Sequence, residues 1–134
     1  MILSAHIVVG SLIGEHIDSP FIVIPISIIS HLVMDAIPHW DYTIYQLSTY
    51  QEWVKIGADI GTGLLFAFLI IYLLRKHKNR QIDQKNIFKK NVNVLLGIFF
   101  AVALDGITLL YMKWNFIPAF ITPITKFHQW VHFK

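Results

Sequence analysis

Apolar positions fall into four long runs separated by short polar breaks: residues 2–17, 21–37, 52–74 and 88–111. At about 1.5 Å of rise per residue, the last two are long enough as helices to cross a bilayer core of roughly 30 Å. The first two are at the short limit, a mismatch met by local bilayer thinning or by burial among neighbours. Pro20 precedes the second run, Pro25 lies inside it and Pro38 ends it. The pattern predicts an all-α, polytopic membrane protein: one domain of 134 residues with about four transmembrane helices. The last stretch, 116–134, is interrupted by Pro118 and Pro123. It is expected to form an interfacial or re-entrant helical segment. The first run is a poor match to a cleavable signal, because no basic residue precedes it and "GEHIDSP" is an unsuitable cleavage context.

Composition supports the membrane reading. Hydrophobic residues make up 55% of the chain and charged ones 14%, against roughly 25% charged in a typical soluble domain. The absence of cysteine excludes disulfides, thiolate zinc sites, iron–sulfur clusters and cysteine nucleophiles. The net charge of +3 is concentrated: seven Lys/Arg lie between Arg75 and Lys90 beside one acid, Asp83, and the rest of the chain is net negative. A basic loop at 75–87 belongs in the cytoplasm by the positive-inside rule, which puts both termini and the 38–51 loop outside. Trp40, Trp53, Trp114 and Trp130 then fall at the outer face, as an aromatic belt would. Without interleaved aromatics the basic run reads as a loop touching anionic lipid, not as a nucleic-acid surface.

Against this background the ionisable residues of the outer half stand out. "HLVMDAIPHWD" places His31 and Asp35 four residues apart on one helical face, with His39 and Asp41 just beyond Pro38. His6 lies near the outer end of the first run, Asp59 and Asp105 lie about two turns inside the third and fourth, and His128 and His132 are four apart in the tail. An aspartate deep in a span costs on the order of 2.5–3.5 kcal/mol on insertion scales, so a shared counter-ion is expected. The nine residues His6, His31, Asp35, His39, Asp41, Asp59, Asp105, His128 and His132 form the candidate metal-ligand set. Imidazole and carboxylate donors without thiolate suit a divalent transition metal, Zn first, with Mn, Fe or Ni as alternatives. At about three protein ligands per catalytic ion, nine candidates accommodate two ions.

Each residue also has a local alternative. Asp59 could pair with Lys55 one turn earlier, Asp105 could be protonated beside a Ser or Thr, and His39 and Asp41 could be a polar turn. Gly57 and Gly61 bracket Asp59, Gly106 follows Asp105, and Gly10 and Gly14 lie below His6. Such small residues are expected to let helix backbones approach closely in lipid. Glu15 and Asp18 belong to the inner loop, where the sequence offers them no evident partner.

These pieces resemble the predicted membrane-bound metal-dependent hydrolases of bacteria and archaea, small proteins related in pattern to zinc-dependent phospholipase C. The resemblance is carried by "AHIVVGSLIG" with His6, by "HLVMDAIPHWD", by single aspartates in the later runs and by "FHQWVH". It is closer still to short bacterial membrane proteins carrying H-x-x-x-D-x-x-P-H-W-D. The chain lacks the P-D-x-D run and the histidine–arginine–glycine stretch of the better-defined hydrolase pattern. The resemblance implies a bacterial or archaeal cytoplasmic membrane. The function expected is hydrolysis of a lipid-borne phosphoester by metal-activated water at the outer leaflet, with membrane lipid as partner. The alternative is a metal-ion or proton-coupled transporter or channel component. Haem binding is disfavoured by the many aspartates. The absence of G-x-S-x-G and H-E-x-x-H argues against a serine hydrolase and a standard zinc peptidase.

Overall fold

Small residues on the first helix decide how the others assemble. In the computed structural model, which describes residues 3–37, 50–77, 84–114 and 122–132, the described residues form five helices: α1 (Leu3–His16), α2 (Pro20–Asp35), α3 (Tyr50–His77), α4 (Gln84–Trp114) and α5 (Thr122–His132). The described residues contain no strand. Helix α1 packs against α2, α3 and α4, while α5 packs on α2 and α4. The α1–α4 contact is the closest. A Cβ added to Gly10 would lie 2.8 Å from the Ala101 Cβ, and one added to Gly14 would collide with the Asn93 carbonyl. Gly63 does the same for α3, where a Cβ would stand 2.6 Å from the Ser4 Cα.

The glycines predicted to bring helices together are thus only partly those that do. Gly57, Gly61 and Gly106 have nothing within 4 Å of an added Cβ, because they face away from the bundle among the described residues. Gly10→Leu or Gly14→Leu is therefore expected to abolish recovery of folded, monodisperse protein. Gly61→Leu is expected to leave the elution profile and thermal midpoint unchanged.

Helices α3 and α4 contain stretches long and apolar enough to cross a membrane, Tyr50–His77 and Asn86–Thr108. Helix α2 is apolar but shorter. At about 1.5 Å per residue, α1 and α2 extend only about 21 and 24 Å. Helix α2 begins as a proline-led helix does: Ser19 is extended, at φ −101° and ψ 119°, and Pro20 occupies the first turn, where its missing N–H costs nothing.

One end of the bundle is closed by ion pairs that the sequence alone did not suggest. Arg75 on α3 binds Glu15 through Nη2 at 2.7 Å and Nε at 3.1 Å, and its Nη1 donates to Asn91 Oδ1 at 2.9 Å. Lys90 on α4 pairs with Asp18 at 2.6 Å and donates to the Glu15 carbonyl at 2.7 Å. Glu15 at the end of α1 and Asp18 of the α1–α2 connection therefore neutralise part of the basic run. Their partners lie 60 or more residues away, beyond the reach of any local pattern.

Candidate metal centre

Four side chains from three helices meet in the interior: His31 and Asp35 of α2, Asp105 of α4 and His128 of α5. All four are at most 3% exposed. The i,i+4 spacing on α2 aims both its groups the same way, and Asp105 comes from the α4 face that packs toward α1 and α2. Helix α5 is amphipathic in the sense the centre requires. Thr125 and His128 are buried, while Ile124, Phe127 and Trp130 are about half exposed on the other side.

The donor atoms converge on one point. His31 Nε2 and His128 Nε2 are 2.9 Å apart. Asp35 Oδ2 lies 3.0 Å from the first and 2.8 Å from the second. Asp105 Oδ1 lies 3.6 Å from each. Ligand bonds of about 2.0–2.1 Å around a tetrahedral Zn²⁺ give edges of about 3.3–3.4 Å, and the five distances bracket that value.

Hydrogen bonds behind the two imidazoles orient them toward this point. His31 Nδ1 lies 2.6 Å from the Ala101 carbonyl. A carbonyl can only accept, so Nδ1 carries the proton and a neutral His31 presents the Nε2 lone pair to the centre. His128 Nδ1 lies 2.8 Å from Thr108 Oγ1; as a ligand through Nε2, His128 donates there. A backbone carbonyl or hydroxyl behind a ligating imidazole is the usual support of a metal site.

Protons alone do not satisfy this arrangement. Protons on both Nε2 atoms would serve Asp35 Oδ2, but Asp105 Oδ1 and Oδ2 have no hydrogen-bond partner among the described residues. A buried carboxylate without a donor is costly. A divalent cation meets the lone pairs of both imidazoles, gives Asp105 a partner and balances two carboxylate charges at once. The residues present fit such an ion.

The other candidates fall differently. His6, 2% exposed, adjoins the group with Nε2 3.1 Å from Asp35 Oδ1, though without hydrogen-bond alignment. Its ring centroid is 4.4 Å from that of His31. Asp59 is not brought into the group. Its Oδ2 accepts from the Ser4 backbone N–H at 3.3 Å, satisfying an amide at the amino end of α1 that has no intrahelical partner. Lys55 pairs with Glu52 at 3.2 Å instead. His132 ends α5, one turn after His128. His39 and Asp41 lie outside the described residues.

Thr108 and the Ala101 carbonyl escaped the sequence reading. The visible clue was a threonine three residues after a buried aspartate, on the same face of α4. Replacing that support, Thr108→Val, is expected to weaken the affinity for a divalent metal by about 10–100-fold while leaving the fold intact, as read by chelator competition. Comparison with known proteins supplies no further guide: no family model, no curated protein and no solved structure matches this chain.

Proposed function

We propose that this chain is a polytopic membrane protein with α1–α4 spanning the bilayer and both termini outside. In this reading the buried centre holds Zn²⁺ and serves hydrolysis of a lipid-borne phosphoester at the outer leaflet. The observation that carries it is the set of four buried donor atoms, all within 4.8 Å of one another, with each imidazole held from behind. The sequence resemblance to membrane-bound metal-dependent hydrolases points the same way. A bound metal ion would supply Lewis-acid polarisation, and an activated water where one of its positions stays open to solvent. The chain's own residues do the rest: Ala101 and Thr108 fix the imidazoles, and α5 carries His128 into the centre. The exposed Phe127 and Trp130, with ring centroids 6.0 Å apart, suit the headgroup region beside it.

The test is a panel of phosphoester and carboxylester lipids offered to Zn²⁺-loaded protein in nanodiscs. Release of a phosphorylated headgroup or of phosphate, lost in a His31→Ala variant, supports the reading. A metal-replete protein that cleaves no lipid overturns the hydrolase assignment.

One observation favours transport as the second reading. Ser27 lies one turn before His31 on α2, and Asn93 shares the α4 face of Asp105 at successive four-residue steps. Both are buried, and Ser27 Oγ and Asn93 Oδ1 have no hydrogen-bond partner among the described residues. Buried polar groups thus continue from the centre toward the end where Asn93 Nδ2 donates to the Ile17 carbonyl at 2.7 Å. Zn²⁺ uptake into proteoliposomes without lipid cleavage would favour this reading over hydrolysis.

A further inference from the structure

Four protein ligands close a tetrahedral zinc, whereas a catalytic zinc keeps a position open for water or substrate. The hydrolytic reading therefore needs an open position, and the structure offers one side on which to build it. Asp35 faces imidazoles with both oxygens. Oδ2 stands 3.0 and 2.8 Å from His31 and His128, and Oδ1 stands 3.1 Å from His6 Nε2. His6 is the odd member: among the described residues its buried Nδ1 has no hydrogen-bond partner, and Asp35 Oδ1 has none although His6 Nε2 faces it. A buried carboxylate oxygen and an imidazole nitrogen that face each other at that distance without a hydrogen bond are placed as two ligands of one cation would be.

We infer that Asp35 bridges two metal ions. The first occupies the group of His31, Asp35, Asp105 and His128, and the second takes His6 Nε2 and Asp35 Oδ1. With only two donors from the described residues, the second ion keeps positions free for water and for an oxygen of a phosphoester. Paired ions about 3.5–4 Å apart are the common device for activating a water and steadying the leaving oxygen in phosphoester hydrolysis. This inference rests on the metal reading of the four-residue group, and it adds the ion at which substrate would bind.

Titration with Zn²⁺ against a chromophoric chelator tests it without recourse to activity. Wild-type protein is expected to saturate at about two ions per chain and His6→Ala at about one, the tight site being retained. Loaded with Mn²⁺, the wild type is expected to give an exchange-coupled paramagnetic resonance spectrum through the shared carboxylate. His6→Ala should give an uncoupled one. A wild type that saturates at one ion overturns the second site and leaves the first standing. A His6→Ala variant that still binds two overturns the role of His6, and a chain that binds none overturns both readings. Should His6→Ala fail to fold, the wild-type stoichiometry and spin coupling still decide.

Discussion

Asp35→Ala is expected to empty the centre. The side chain stands within 3.1 Å of three imidazoles, and in this account it is the one ligand that touches every metal position. Its loss removes a negative charge and leaves His31 and His128, 2.9 Å apart, with Asp105 as the remaining carboxylate of the group. Breaking a buried ionic arrangement by removing one partner costs about 3–5 kcal/mol. At about 1.4 kcal/mol per tenfold, that is a loss of at least about a hundredfold in metal affinity. Gel-filtered Asp35→Ala protein should carry no zinc where the wild type retains it. Asp35→Asn keeps the shape and removes only the charge, so it should behave similarly. Full metal content in both variants would show that Asp35 merely packs.

Asp105 should produce an effect that changes sign with metal. In the proposed centre Asp105 would be a zinc ligand, and Asp105→Asn would remove charge that the ion needs. When zinc is withdrawn by a chelator, the wild type is left with a buried carboxylate lacking any donor among the described residues. A buried carboxyl group without a hydrogen-bond partner is destabilising in either protonation state, by about 1–3 kcal/mol. Asp105→Asn is thus expected to melt below the wild type in zinc and above it in chelator, each kcal/mol moving the midpoint by about 2–8 °C. Because the same substitution is compared in both conditions, a generic packing defect cannot produce the reversal. A variant that melts below the wild type in both would show that Asp105 is satisfied by something other than metal.

The elements that hold this centre were visible in the sequence to different depths. Helices α3 and α4 were legible from length and hydropathy alone, because a run of that size has few other uses. His31 and Asp35 were legible as a pair because a four-residue step fixes a shared face whatever the tertiary structure. Asp105 and His128 were legible as candidates, one by its cost in an apolar run and the other by the H-x-x-x-H repeat. That such residues would meet was expected from their shared half of the membrane; which of the nine meet was not legible, since it depends on α5 returning across more than 90 residues to α2.

Asp59 shows the opposite limit. Its place in an apolar run resembles that of Asp105, yet a backbone amide of α1 engages it instead. Only the packing of α3 on α1, set by Gly63 against Ser4, distinguishes the two. The same holds for Glu15 and Asp18, whose partners Arg75 and Lys90 read in sequence only as an orientation signal. Charge statistics locate a face of the membrane, but they do not show which charges on that face touch.

The identity of the atoms around the first ion bears most directly on the proposed centre. X-ray absorption at the zinc edge, on detergent-purified protein loaded with one equivalent of Zn²⁺, reads those atoms. The expected result is a first shell of two imidazole nitrogens and two carboxylate oxygens at about 2.0–2.2 Å, with the imidazole scattering reduced in His128→Ala. A shell of oxygen alone, or one that His128→Ala and His31→Ala leave unchanged, would contradict it.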